Sequence, residues 1–328
     1  MTCFHKRVFT YYIPDNIEPR MKLISELLGG WENFSEWELR GLLSAYGGRI
    51  SERHSKYIEF ETEFPGEITN RITFSKRVSK ILDDEDLISR RYEKVKFAVR
   101  ERRNEGRESL IHAVAKTIKG KVDLENPDVI FFVYNYERPI ISELIYERDV
   151  SRLLDRRYNA RPMNHPSSIS PLLARGMLNI AGLREGENFL DPFSGTGTFL
   201  IEGFRMGLNG FGIDRNSKMV SGGNDNLQYF NFPRNIVQGD FSKMRDYRNI
   251  RTVVTDPPYG RGSKVFSDSR KSLYADFFAI LADLKWKGSV FCLPSNELVE
   301  LGKNYLNLSI AAEIRVHSSL TRSIVVIL

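Results

Sequence analysis

Cysteine is almost missing from this chain. Its two cysteines, Cys3 and Cys292, stand at opposite ends, which excludes a disulfide framework. Five scattered histidines supply no zinc-ligand spacing, so neither a structural nor a catalytic metal is expected. Long apolar runs are missing as well. Arg, Lys, Asp or Glu interrupts every hydrophobic stretch before it reaches the length of a membrane span. The first residues, MTCFHKRVFTYYIPDN, carry charges where a signal peptide needs an unbroken apolar region. No internal repeat or low-complexity segment is visible. What remains is a cytoplasmic globular protein, and 41% hydrophobic and 27% charged residues fit that class. A length of 328 residues leaves room for two domains. No pattern sets an oligomeric state, and a monomer is the expectation.

Charge is unevenly spread. Residues 1–70 carry a balance of −3, residues 71–120 one of +6, and residues 151–328 one of +7. A concentrated basic region is the usual footprint of a polyanion, because each neutralised phosphate releases counterions. Positive charge that merely aids solubility is the competing explanation.

The first half mixes strands and helices. VFTYYI (8–13) reads as a strand. In NFSEWELRGLLSAYGG, Ser35 and Glu38 have the spacing of a capping box and Gly47-Gly48 that of a helix stop. KYIEFETE (56–63), KVKFAVR (94–100), VIFFV (129–133) and ISELIYE (141–147) read as strands, and SLIHAVAKTI (109–118) as a helix. A basic hinge, RDVSRLLDRRYNARP (148–162), precedes a second half of alternating strands and helices, the pattern of a parallel sheet covered on both faces. Ser170-Pro171 opens its first helix and Gly182 closes it. The ending, AAEIRVHSSLTRSIVVIL, reads as a hairpin, unlike the parallel last strand of a nicotinamide-binding fold.

LDPFSGTGTFLIEG (190–203) describes a strand, a tight loop and a helix start. Gly195 and Gly197 allow a sharp turn and a close backbone approach to a ligand, and the amides at the helix start face that ligand. Asp214 ends the next strand, 19 residues beyond Gly195, where a carboxylate accepts both hydroxyls of a ribose. Asp240 ends the third strand, where it can accept from an adenine amino group. The loop has neither the third glycine of the dinucleotide fingerprint nor the GK[ST] of a P-loop. It suits a nucleoside without phosphates, hence S-adenosylmethionine (SAM).

TDPPYGRGS (255–263) ends the fourth strand. In a doubly wound sheet the first and fourth strands flank the switch point where ligands bind, so two loops 65 positions apart converge. An exocyclic base amine is a poor nucleophile because its lone pair is delocalised. The Asp256 carboxylate and the Pro257 carbonyl, held by Pro258, can hold both its hydrogens. Asp256 can also stabilise the charge developing on nitrogen and take the proton, and Tyr259 offers a face for a base drawn out of its helix. A structural Pro-Pro turn with an incidental tyrosine is the plainer alternative. Arg261, Lys264, Arg270 and Lys271 after this loop, and Arg91, Lys94, Lys96, Arg100, Arg102 and Arg103 in the first half, are candidates for phosphate contacts. No role is assigned to His165.

Together with RPMNHPSSISPLLARGMLNIAG (161–182) and GFGIDRNSKMVSGGNDNL (210–227), these motifs resemble the archaeal tRNA guanosine-10 N2-methyltransferase family. KVDLENPDVIFFV (121–133) is similar to the close of a THUMP RNA-binding domain. The resemblance covers residues 90–328 well and 1–90 only by pattern.

It implies an α/β fold, a class I methyltransferase Rossmann-like sheet with an antiparallel C-terminal hairpin, behind an N-terminal α+β ferredoxin-like and THUMP region. Its boundaries would be 1–70 for the ferredoxin-like piece, 71–150 for the THUMP-like domain, 151–165 for a linker and 166–328 for the methyltransferase domain. It implies SAM as cofactor and tRNA as partner. Asp191, Phe193, Ser194, Gly195, Thr196, Gly197, Asp214, Arg215, Asp240 and Phe241 would bind SAM, and Asp256, Pro257, Pro258 and Tyr259 would handle the guanine. Ser194 stands where a cysteine is common in the family, and another small polar residue should serve equally. A DNA adenine N6-methyltransferase and a catalytically silent RNA-binding scaffold are the two alternatives.

Overall fold

Strands outnumber helices in the first half, and the computed structural model describes residues 20–103, 107–136, 138–149, 151, 157–166, 168–259, 265–284, 288–317 and 320–327. The strand expected at 8–13 lies outside them. In chain order the first half runs β1 (Met21–Leu27), α1 (Glu32–Tyr46), β2 (Arg49–Arg53), β3 (Tyr57–Thr62), α2 (Pro65–Arg71), β4 (Ser75–Ile81) and α3 (Asp84–Leu87). It continues with β5 (Lys96–Arg103), α4 (Ile111–Thr117), β6 (Lys121–Val122), β7 (Val129–Asn135) and β8 (Pro139–Glu147). The eight strands form one sheet in the order β2-β3-β1-β4-β8-β7-β5-β6. Strands from both sides of residue 70 share it, since β1 pairs antiparallel with β3 on one flank and with β4 on the other.

The capping box expected at Ser35 and Glu38 is not there. α1 begins three residues earlier, and Ser35 lies inside it, its hydroxyl donating to the carbonyls of Trp31 (2.9 Å) and Phe74 (2.6 Å). Glu38 is fully buried. Its carboxylate accepts from the Thr73 amide (3.0 Å) and hydroxyl (2.6 Å), the Phe74 amide (2.6 Å) and the Asn179 side-chain amide (2.7 Å). The spacing fits a cap, but tertiary donors claim both side chains. The expected stop is correct, for Gly47 follows the helix with φ +91°.

The second half runs α5 (Pro171–Ile180), β9 (Asn188–Asp191), α6 (Thr198–Arg205), β10 (Asn209–Asp214), α7 (Ser217–Tyr229), β11 (Ile236–Gln238) and β12 (Val254–Thr255). Then follow α8 (Val265–Asp283), β13 (Val290–Leu293), α9 (Asn296–Lys303), β14 (Leu308–His317) and β15 (Leu320–Ile327). Ser170 caps α5, its hydroxyl accepting from the Leu173 amide (3.2 Å) with Pro171 at the first helical position. β9, β10 and β11 pair in parallel. A parallel bridge from Leu190 to Val253 joins them to β12, which pairs in parallel with β13. β15 then pairs antiparallel with both β13 and β14. The strand order β11-β10-β9-β12-β13-β15-β14, with its antiparallel end, is that of a class I methyltransferase sheet.

α1 serves both halves. Phe34 on it and Phe74 before β4 join a core with Met177, Leu178, Phe189 and Leu200 of the second half. A Cβ on Gly41 would lie 2.2 Å from the Asn179 carbonyl oxygen, so only glycine lets α1 approach α5 this closely. Arg71, 3% exposed, donates to Asn179 (3.1 Å), Tyr46 (2.9 Å) and Glu185 (3.2 Å), spanning the same junction.

Candidate active site

Four neighbouring strands, β11, β10, β9 and β12, run parallel and end on one edge of the sheet. Asp191, Asp214, Asp240 and Asp256 stand at or just beyond those ends. The chain leaves β9 towards β10 on one side and returns as β12 on the other, so this edge is the switch point of the sheet, where a crevice opens.

The loop after β9 is built for close approach. Gly195 and Gly197 have φ of +51° and +80°, the left-handed region that side chains with a Cβ avoid. The Ser194 hydroxyl donates to the Asp191 carbonyl (2.7 Å), and the Gly195 amide donates to the Asp214 carboxylate (2.9 Å). Asp214 also accepts from the Asn216 amide (2.8 Å), which keeps its half-buried carboxylate aimed along the crevice. A Cβ on Gly223 of α7 would sit 2.8 Å from the Gly195 carbonyl oxygen, so the loop is clasped from outside as well. Thr196 is buried and Arg215 exposed at the mouth.

Arg161, Met163 and Ser168 brace this loop. Buried Arg161 donates to the Thr198 hydroxyl (2.8 Å), Asn226 bridges Met163 to the Thr196 carbonyl (2.9 and 3.0 Å), and the Ser168 and Thr196 hydroxyls lie 2.7 Å apart. The His165 carbonyl accepts from the Ser168 amide (3.0 Å).

Past β11, Asp240 caps a short 3-10 turn by accepting from the Ser242 amide (3.0 Å). The Phe193 and Phe241 rings lie 5.5 Å apart at 31°, with Phe277 edge-on to Phe193. An open cleft of about 510 Å³ continues from Asp240 and Phe241 to Leu273 and Asp276 of α8. It takes in neither the glycine loop nor the residues of the β12 loop, so it extends the site on one side and is not its centre.

Asp191 is 1% exposed. Its carboxylate accepts from the Thr255 hydroxyl (2.5 Å) and the Phe193 amide (3.2 Å), so it ties the two strand ends together. Burial pushes this carboxyl up to about 7, opposed by those two hydrogen bonds and aided by the charges of Asp214 and Asp256. The folded chain thus holds a proton that the unfolded chain releases near 4. The stability this residue contributes is complete below pH 4 and lost as pH climbs to 7. In thermal melts the Tm of Asp191→Asn minus that of the unaltered protein should rise from pH 4 to 7 and then level off. A difference flat in pH would mean that the carboxyl titrates normally.

Asp256, Pro257, Pro258 and Tyr259 follow β12 directly. Pro257 is buried and Pro258 exposed, and the Pro258 carbonyl accepts from the Tyr274 hydroxyl of α8 (3.4 Å). The Tyr259 hydroxyl donates to one Asp256 oxygen, and the Arg322 guanidinium lies 3.4 Å from the other. Burial pushes the Asp256 carboxyl up, opposed by the Arg322 charge and by hydrogen bonds from Tyr259 and Cys292. Burial likewise pushes up the Tyr259 hydroxyl and the Cys292 thiol. Arg322 and Cys292 were not singled out in the sequence. An arginine between Thr321 and Ser323, two residues before the apolar run IVVI (324–327), is the one local signal for Arg322.

The candidate phosphate contacts are dispersed. Arg100 is exposed, whereas Arg102 pairs with Glu26 (3.4 Å) and lies over the Phe132 ring. Arg91 pairs with Glu143 (2.5 Å), Lys96 with Asp123 (3.2 Å) and Lys271 with Glu297 (2.5 Å). Arg261 and Lys264 lie outside the described residues, as do the side chains of Arg103 and Arg270. Among the described residues, one set of metal-ligand type converges, Glu52, His54 and Glu59 on the first sheet, where Arg138 already pairs with Glu52 (3.3 Å) and Glu59 (2.8 Å). No described helix is long and apolar enough to cross a membrane.

The sheet order, the glycine loop and the acidic strand ends define a class I methyltransferase. The model of the RMKL-like methyltransferase domain matches residues 158–324. The tRNA (guanine(10)-N2)-dimethyltransferase of Methanothermobacter thermautotrophicus is 30% identical over 282 residues, which is 79% of this chain and 84% of that protein. Its counterpart in Pyrococcus abyssi is 34% identical over 171 residues, 51% of each. TrmN from Thermus thermophilus superposes over 94% of this chain and all of its own, at 18% identity and a TM-score of 0.47. This chain belongs to the family of the archaeal tRNA (guanine(10)-N2)-dimethyltransferases.

Proposed function

We propose that this enzyme transfers methyl groups from SAM to the N2 amine of a tRNA guanosine, at nucleotide 10, giving N2-methylguanosine and then N2,N2-dimethylguanosine. The observation that carries the reading is the placement of a nearly buried, arginine-paired carboxylate, Asp256, at the strand end beside the glycine loop. The second methyl and the nucleotide number rest on the names of the two relatives.

The residues around the crevice fit SAM. The Asp214 carboxylate suits ribose hydroxyls, the Phe193 and Phe241 pair an adenine face, and Gly195 and Gly197 admit the methionine portion close to the backbone. Asp191 acts from beneath, and Ser194, Thr196, Arg215 and Asp240 line or brace the same rim. When bound, SAM supplies an electrophilic methyl on a sulfonium. Asp256 accepts a hydrogen of the guanine amine, stabilises the positive charge that grows as the C–N bond forms and the C–S bond breaks, and takes the released proton. The Pro257 carbonyl holds the second hydrogen, and Tyr259 stacks the base. The first sheet, with 71–150 as a THUMP-like part behind a ferredoxin-like piece, grips the tRNA. Arg100, with Arg103, Arg261 and Lys264, contacts its phosphates. The enzyme works as a cytoplasmic monomer without a metal.

One assay tests the whole. The protein is incubated with labelled SAM and either unmodified tRNA or DNA, and the product is digested to nucleosides. Label is expected in N2-methylguanosine early and N2,N2-dimethylguanosine late, mapping to nucleotide 10. Label in DNA N6-methyladenine alone replaces the reading, and tRNA binding without label leaves only a scaffold.

A further inference from the structure

Arg322 has no role in the proposed chemistry, yet it stands at its centre. It lies on β15, next to Ser323, which pairs with Leu293 of β13. Its side chain is 12% exposed, as is that of Asp256. One guanidinium nitrogen is 3.4 Å from the Asp256 carboxylate, and the guanidinium carbon is 4.8 Å from the centre of the Tyr259 ring. Tyr259 closes the triangle by donating to Asp256. The Arg322 Nε is buried with no hydrogen-bond partner among the described residues.

A fold gains little from such an arrangement. Desolvating two charges offsets most of their attraction, and apolar side chains of similar volume often serve stability as well or better. Methyl transfer, in contrast, needs a carboxylate that is both ionised and aimed before the base arrives, because groups that must reorganise in the transition state stabilise it less. Resting on the proposed role of Asp256, we infer that Arg322 is a positioning residue for methyl transfer: it anchors the Asp256 carboxylate and backs the Tyr259 ring, leaving the opposite ring face for the base.

The surrounding groups define the consequence. Asp256 is faced by Tyr259 of its own loop, Arg322 of β15 and Cys292 of β13, with Asp191 of β9 close enough to feel its charge. Tyr274 of α8 faces Arg322. Arg322 is the one cation in this set, and it opposes the upward push of burial on Asp256. Removing it favours the protonated carboxyl, which can no longer take the amine's proton.

The test is the pH profile of kcat with tRNA for Arg322→Met and Arg322→Lys, alongside Asp256→Ala. For Arg322→Met the acid limb should move to higher pH, with kcat at pH 7 down about 10- to 100-fold and the ratio to the unaltered enzyme shrinking as pH rises. Arg322→Lys keeps the charge but loses the planar stack. Its acid limb should stay in place while kcat drops about tenfold throughout. A merely structural arginine would lower activity by one factor at every pH, so parallel profiles for Arg322→Met overturn the inference. Should Arg322→Met fail to fold, Arg322→Gln, which also removes the charge, takes its place, and a profile parallel to that of the unaltered enzyme overturns the inference. An active Asp256→Ala would instead remove the reading of the site itself.

Discussion

Asp256→Ala should abolish methyl transfer to tRNA, with kcat down by about 10³-fold or more, while the SAM dissociation constant stays within a few-fold. The two halves of this expectation come from different contacts. Asp256 carries the only carboxylate of the loop after β12, and its partners are Tyr259 and Arg322. Neither belongs to the glycine loop. The groups proposed for SAM, the Asp214 carboxylate and the turn around Gly195, are held by one another and by α7. Asp256→Asn separates acceptor from base: it keeps one oxygen for the amine but cannot take the proton, so it should remain severely impaired. Single-turnover methylation and calorimetric SAM titration on the same preparations read both halves. Loss of SAM binding in Asp256→Ala would assign the carboxylate to the cofactor instead.

Much of this site was legible before the structure because its parts are local. Each loop follows a short apolar strand and carries its own turn chemistry, and three acids at successive strand ends fix the edge on which they meet. The C-terminal hairpin was legible for the same reason, as two apolar runs around a polar turn. What the sequence hid is non-local. Ser35 and Glu38 fit a cap by spacing, but donors at Thr73 and Asn179 claim Glu38, and no window around residue 35 contains them. Arg322 is remote from Asp256 in the chain and adjacent to it only because β15 inserts beside β13. The same holds for the first sheet. β1 and β4, with Lys and Arg among their apolar residues, do not read as strands, and they become central strands only because β3 and β8 pair along their outer edges.

Glu38 carries the second large effect. Glu38→Ala should lower stability by about 3–5 kcal/mol, because it strands several buried hydrogen-bond donors at once. On the per-residue scaling of unfolding entropy over 328 residues, that is a Tm lower by roughly 4–7 °C. The carboxylate, carried by α1, is the shared acceptor of four donors from two other places: the Thr73 and Phe74 donors precede β4, and Asn179 belongs to α5. Truncation strands all four in a site that water does not reach, each with a desolvation cost of about 1–3 kcal/mol before relaxation. Burial pushes the Glu38 carboxyl up while these donors pull it down. Glu38→Gln is therefore no rescue, because its NH₂ must face a donor at one of the two oxygens. Glu300 sets the contrast. It is exposed and, among the described residues, pairs with Lys303 one turn on, so Glu300→Ala should change stability by less than about 1 kcal/mol. Since Glu38 joins the half proposed to grip tRNA to the half that carries the methyltransferase sheet, its loss should also raise the KM for tRNA more than that for SAM at temperatures where the variant is folded. A Tm for Glu38→Ala within a degree or two of the unaltered protein would show that the junction is held by Gly41 packing and Arg71 alone.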